Sequence, residues 1–292
     1  MDALLSEDFA VGSHEVLEPS ERRVPMVFAS PHSGQNYPLE FIAASRLSPL
    51  ELRRSEDSFV DEIFSAAPAV GAPLLRAHFP RAFVDPNREP FELDHEMFAD
   101  ALPAYANTGS PRVAAGLGTI AKVVANGAEI YHGKLTFAEA LRRIRGHYWP
   151  YHTTLKELIE QTQRIFGFCL LIDCHSMPSK GVRGKGMNGL ENVDFVLGDA
   201  FGQACDPRVS ECAEENLRAA GYTVVRNNPY AGGFVTRHYG RPDEAVHCLQ
   251  IEISRRLYMD ETCMERSARF SKLKEDIGGL MEDLADLTRQ GL

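Results

Sequence analysis

The sequence predicts an α/β fold in which a largely parallel sheet is covered on both faces by helices. Three observations carry this: apolar runs of strand length recur along the 292 residues, stretches of helical periodicity separate them, and several runs stop abruptly at polar loops containing Pro or Gly. Residues 24–29 form the first run, halted by Ser30-Pro31-His32-Ser33-Gly34. From Ser48-Pro49 onward, Leu50, Leu52, Phe59, Val60, Ile63 and Phe64 recur at helical spacing, with Ser55 as a cap. Residues 72–77 and 82–85 read as two more strands, and the second ends in Pro86-Asn87-Arg88-Glu89-Pro90, a loop enforced by two prolines. Helical periodicity over 137–166 breaks at Trp149-Pro150 and leads into a core strand at 167–173, which stops at the polar segment Cys174-His175-Ser176-Met177-Pro178-Ser179. Strands at 193–197 and 222–226 flank a helix over 207–220, and a loop at 227–239 carries Gly232-Gly233. A strand at 247–253 and a closing helix at 262–289 complete the chain. Residues 86–135 give no assignable pattern, and the Gly- and Lys-rich stretch 180–190 reads as a lid or a surface excursion. With no internal repeat, one α/β domain over 1–292 is the expected organisation.

Composition narrows the function classes. The chain is 44% hydrophobic and 25% charged, with mean hydropathy −0.24, which excludes disorder, collagen and coiled coil. Against 31 Lys and Arg stand 41 Asp and Glu, a net charge of −10 with no dense basic run, so nucleic acid and anionic membranes are not expected partners. No segment reaches the ~18 consecutive apolar residues of a membrane span, and the N-terminus has early acids where a signal peptide would be basic. A cytoplasmic location is the expectation. Six cysteines without a C-x-x-C pair read as free, buried thiols rather than a disulfide or zinc framework.

Chemistry in open α/β sheets is found beyond the carboxyl ends of the strands, so polar residues just after apolar runs are the candidates. His32, Arg88 and His175 each follow such a run, and Asp57 lies near a helix start from which a carboxylate reaches the same edge. Two neutral histidines and one carboxylate are what a catalytic Zn²⁺ needs, with a fourth position open to water. Glu56 is an alternative carboxylate, and other divalent ions accept the same donors. Glu252, inside an apolar strand pattern, is either a desolvated general base or the partner of Arg255 or Arg256. Arg81, Arg88 and Arg237 flank Pro- and Gly-rich loops, where a guanidinium forks onto a carboxylate or polarises a carbonyl. Cys174 beside His175 leaves a cysteine amidase as a further reading, and an arginine-lined binding protein without catalysis as another.

Several motifs occur together and in order: Ser30-Pro31-His32-Ser33-Gly34, Glu56-Asp57-Ser58-Phe59-Val60-Asp61, Val84-Asp85-Pro86-Asn87-Arg88, Asp173-Cys174-His175-Ser176-Met177, Gly232-Gly233-Phe234-Val235-Thr236-Arg237, and Leu249 through Met259. This set resembles the N-formylglutamate amidohydrolase family and spans about residues 25–260. The family is similar in fold to zinc carboxypeptidases and aspartoacylases, so the resemblance implies a mixed, mostly parallel sheet of zinc-exopeptidase type and one catalytic zinc. Carried over by position, it implies His32, Asp57 and His175 as zinc ligands, with Gln35 standing where some relatives have a ligating glutamate. It further implies Glu252 as the base toward water and the proton donor to the leaving amine, and Arg81 as the group facing the oxyanion. Asn87 and Arg88 would grip one substrate carboxylate and Arg237 the second. The implied reaction is hydrolysis of a small N-acyl amino acid, N-formyl-L-glutamate giving formate and glutamate, in histidine degradation.

Overall fold

A computed structural model of the protein describes residues 12–179 and 193–292. The expected lid at 180–190 and the acidic start of the chain lie outside these residues. Seven strands, β1 (His14–Leu17), β2 (Met26–Ser30), β3 (Leu74–Ala77), β4 (Cys169–Met177), β5 (Phe195–Gly198), β6 (Val224–Arg226) and β7 (Val246–Ser254), form one sheet in the order β1-β3-β2-β4-β7-β5-β6. Four of the six pairings are parallel, while β1 on β3 and β5 on β7 are antiparallel, which gives the expected mixed sheet. A short second ribbon pairs β8 (Met259–Asp260) with β9 (Glu265–Arg266). The helices are α1 (Leu39–Ala44), α2 (Pro49–Leu52), α3 (Val60–Ile63), α4 (Ala67–Val70), α5 (Pro111–Ala114), α6 (Phe137–Arg143), α7 (Trp149–Phe166), α8 (Pro207–Ala219), α9 (Phe234–Tyr239) and α10 (Phe270–Gln290).

Strand parity builds both cores and the site. On β4 and β7, Leu170, Ile172, Cys174, Leu249, Ile251 and Ile253 point to one face, where α3, α4, α8 and α10 cover them. Cys169, Leu171 and Cys248 point to the other, beneath the α7 stripe Tyr151, Leu155, Leu158 and Ile159, which recurs at helical spacing. Asp173, His175, Gln250 and Glu252 continue that second face toward the carboxyl ends of the strands. The parallel register sets Asp173 opposite Gln250 and His175 opposite Glu252. Helix α7 ends at Gly167, whose φ of 88° is the left-handed cap that glycine adopts freely.

Several sequence expectations are corrected. Residues 82–85 are not a strand: Phe83 and Val84 N–H both donate to Pro80 O, closing a tight turn, and Asp85 N–H donates to Thr119 O in the segment that gave no pattern. Residues 174–177 are not a loop, because β4 stays paired with β7 through Met177. The closing helix starts at Phe270 rather than 262, since the Asp260 side chain accepts from Thr262 N–H and turns the chain into the β8–β9 ribbon. The loop at 227–239 contains α9 directly after Gly232-Gly233. The break at Trp149-Pro150 is a turn of π-helix over Ile144–Tyr148 joining α6 to α7, and Ser55 accepts from Ala125 N–H instead of capping a helix, a task that Ser48 performs at α2. Strand β1 escaped the sequence reading because its half-buried residues lack an apolar run.

Candidate active site

The residues implied as metal ligands converge below the carboxyl edge of the sheet. His32 follows β2 in a loop held close to Phe79: a Cβ on Gly34 would lie 2.2 Å from Phe79 O, so only glycine allows the approach. Asp57 N–H donates to His32 O at 3.0 Å, and Ser33 Oγ donates to Asp57 O at 3.1 Å, which fastens the turn before α3 to that loop. His175 reaches the same point from β4. Asp57 Oδ2 lies 3.3 Å from His32 Nδ1 and 3.1 Å from His175 Nδ1, and one donor atom from each of the three residues falls within 4.8 Å of the others. All three are buried.

His32 is held from behind by a carboxylate, and His175 has one beside it. His32 Nε2 lies 2.7 Å from Asp85 Oδ1, and His175 Nε2 lies 2.9 Å from Asp173 Oδ1. This leaves Nδ1 of both rings facing Asp57; for His32 it is the arrangement in which a metal takes one nitrogen while the other donates its proton to an acid, whereas His175 Nε2 also meets Asn87 Nδ2 at 3.1 Å. The second Asp57 oxygen, Oδ1, is occupied by Arg255 Nη2 and Ser176 Oγ, each at 3.2 Å. Two nitrogens and one carboxylate oxygen, buried and aimed at one point, fit a divalent ion such as zinc.

The electrostatics follow from burial and paired charge. Burial alone would raise the Asp57 carboxyl, but its bonds with His175 and His32 and the nearby Arg81 charge hold it well below the ordinary range. Asp85 is held down likewise, chiefly by Arg81, whose Nη2 bonds Asp85 Oδ2 at 2.8 Å. Burial opposes a charge on His175, yet Asp173 and Asp57 keep its imidazole well above the ordinary value. Glu252 is pushed up to about 7, first by desolvation, with His175 opposing.

Above this cluster opens a cavity of about 1390 Å³. Its walls include His32, Arg81, Asn87, Arg88, His175, Arg237 and Glu252, so it takes in every residue implied for the site except Asp57, which lies beneath it. Arg88 is buried and fixed through Leu117 O and Asn87 O, and burial brings its guanidinium down to about 10. Arg237 is exposed on α9 at the cavity wall.

The alternatives left by the sequence separate here. Glu56 faces away from the histidines toward Tyr37, Ser58 and Arg53. Gln35 is exposed and outside the cluster. Glu252 pairs with neither neighbouring arginine, since Arg255 binds Asp57 and Arg256 binds Asp194. Cys174 points into the opposite core, and burial raises its thiol far above the ordinary value, which removes it as a nucleophile. Cys169, Cys205 and Cys248 are buried and free, whereas Cys212 is half-buried and Cys263 exposed. The sequence reading missed Asp85, Asp173, Arg255 and Gln250. Carrying the strand past residue 173 would mark Asp173 as the same-face neighbour of His175; Asp85 and Arg255 meet their partners only in three dimensions.

A model of the N-formylglutamate amidohydrolase family matches residues 24–259. The N-formylglutamate deformylase of Pseudomonas aeruginosa is 31% identical over 250 residues, covering 85% of this chain and 86% of its own. That of Pseudomonas putida is 30% identical over 261 residues with the same coverage. The crystal structure of N-formylglutamate amidohydrolase from Ralstonia eutropha superposes with a TM-score of 0.88 at 37% identity, covering 97% of this chain and all of that one. A structure from Agrobacterium tumefaciens, with TM-score 0.67 and 18% identity over 96% of this chain and 97% of its own, shares the fold.

Proposed function

The chain belongs to the N-formylglutamate amidohydrolase family, and from that premise we propose that it hydrolyses N-formyl-L-glutamate to formate and L-glutamate with a divalent ion, zinc first, held by His32, Asp57 and His175. The observation that carries the reading is the meeting of Asp57 Oδ2 with both Nδ1 atoms, with Asp85 bonded behind His32, at the floor of an arginine-lined cavity. An ion held there would supply Lewis-acid chemistry for polarising a carbonyl and acidifying water. Glu252 accepts the proton of the attacking water and returns it to the amine as the C–N bond breaks, a transfer suited to a carboxyl whose pKa desolvation has raised. Arg81 faces the negative charge that develops on the formyl oxygen. Asn87 and Arg88 hold one substrate carboxylate and Arg237 the other.

The reading includes one α/β unit over 1–292, supported by a single sheet drawing strands from His14 to Ser254 and by α10 packing on α3, α4 and α8. A cytoplasmic role in histidine degradation is the setting the family implies. The test is a substrate panel with the zinc-loaded protein: N-formyl-L-glutamate, N-formyl-L-aspartate, N-acetyl-L-glutamate, an uncharged N-formyl amino acid and a short N-formyl peptide. The expected result is highest kcat/KM for N-formyl-L-glutamate. Preference for the uncharged substrate would defeat the roles given to the arginines.

A further inference from the structure

Gln250 precedes Glu252 by two residues on β7, points to the same face, and is only 3% exposed. Gly233 N–H donates to its Oε1 at 2.7 Å, and Thr236 Oγ1 donates to the same atom at 3.4 Å. A backbone N–H is only a donor, so the amide has one possible orientation: its oxygen faces Gly233 and its NH₂ faces the other way. The NH₂ then donates to Glu252 Oε1 at 2.8 Å. One carboxylate oxygen is thereby fixed, and Oε2 is left for the reacting water.

The turn that orients Gln250 also orients a substrate-binding amide. Val235 N–H donates to Asn87 Oδ1 at 2.8 Å, which by the same logic turns the Asn87 NH₂ toward the cavity side, 3.1 Å from His175 Nε2. Two glycines make this possible. A Cβ on Gly198, the β5 partner of Gln250, would lie 2.8 Å from Gly232 N, and a Cβ on Gly233 would lie 2.4 Å from Asn87 Nδ2.

We infer that Gln250 is the positioning residue that aims Glu252, and that through the start of α9 it ties the base to Asn87. The inference rests on the reading of Glu252 as the base in the proposed deformylation. The test pairs Gln250→Met, which removes both hydrogen-bonding ends, with Gln250→Glu, which keeps the acceptor for Gly233 and removes the donor. The crystal structure of each folded variant is compared with that of the unsubstituted protein, and kcat, KM and zinc content are measured alongside. The expected result in both variants is a displaced Glu252 carboxylate, kcat lowered roughly 100-fold and unchanged zinc content, with KM unchanged in Gln250→Glu, which keeps the Gly233 anchor, and raised in Gln250→Met, which loses it. If Gln250→Met fails to fold, Gln250→Glu is decided by the same readings. A Glu252 that stays in place, or a kcat that survives its displacement, overturns the inference. Absence of turnover in the unsubstituted protein defeats the proposed function instead, and the Glu252 position in the variants still decides the role of Gln250.

Discussion

Asp85 Oδ1 lies 2.7 Å from His32 Nε2, and this contact turns the ring so that Nδ1 faces Asp57. Acids behind ligating histidines fix the tautomer and raise ligand basicity, and their loss costs roughly 10–100-fold in metal affinity. Asp85→Asn is therefore expected to weaken zinc binding by about that factor, read by competition with a chromophoric chelator. Unaltered affinity would remove Asp85 from the site.

Ligand and base are separable by substitution. His175→Ala deletes one of three donors, and zinc and turnover are expected to vanish together. Glu252→Gln keeps the shape and removes the proposed base, so zinc is expected to be retained while kcat falls roughly 10²–10⁴-fold. Metal analysis and formate release on the same preparations check both. A glutamine variant with full turnover contradicts the role of Glu252.

The contact between Gly233 and Asn87 carries its own prediction. Because an added Cβ would sit 2.4 Å from Asn87 Nδ2 and 2.6 Å from its Cγ, Gly233→Ala forces the amide out of place. KM for N-formyl-L-glutamate is expected to rise several-fold or more, with zinc content unchanged. A KM equal to that of the unsubstituted protein would show that the wall yields without consequence.

Burial also sets an acid limit on stability. His152, bonded to Pro86 O and Tyr239, is lowered to about 4 by desolvation, against 6.5 for a free imidazole. The unfolded chain thus binds more protons than the folded one between about pH 4 and 6.5, and the stability contributed by neutral His152 is lost as pH falls through that window. His147, also lowered to about 4, acts in the same direction. Urea midpoints measured at pH 7.5 and 5 should fall less for His152→Gln than for the unsubstituted protein. An equal fall would assign the acid limit elsewhere.

Much of the fold was legible because near-continuous apolar runs such as Leu170-Leu171-Ile172 are what strands buried on both faces require. The strand through His175 was read too short, since polar residues resemble a loop until the partner strand and the site that satisfy them are seen. The turn at Pro80 was read as a strand because burial of Phe83 and Val84 gives the same apolar signal without the pairing. At the site, His32 and His175 stand out because they follow apolar runs and Glu252 because it interrupts one, whereas Asp57 has only a nearby helix start to mark it, with Glu56 beside it. The side chains that hold them, Asp85, Arg255 and Gln250, depend on contacts spanning up to 198 residues or on the orientation of a turn, for which linear spacing has no signature.

The measurement that tests the central claim most directly is formate release from N-formyl-L-glutamate by the purified protein before chelation, after chelation and after zinc is restored. The account predicts turnover that is lost with the metal and regained with zinc. Undiminished turnover in the fully chelated protein, or no formate from the zinc-loaded protein, would contradict it.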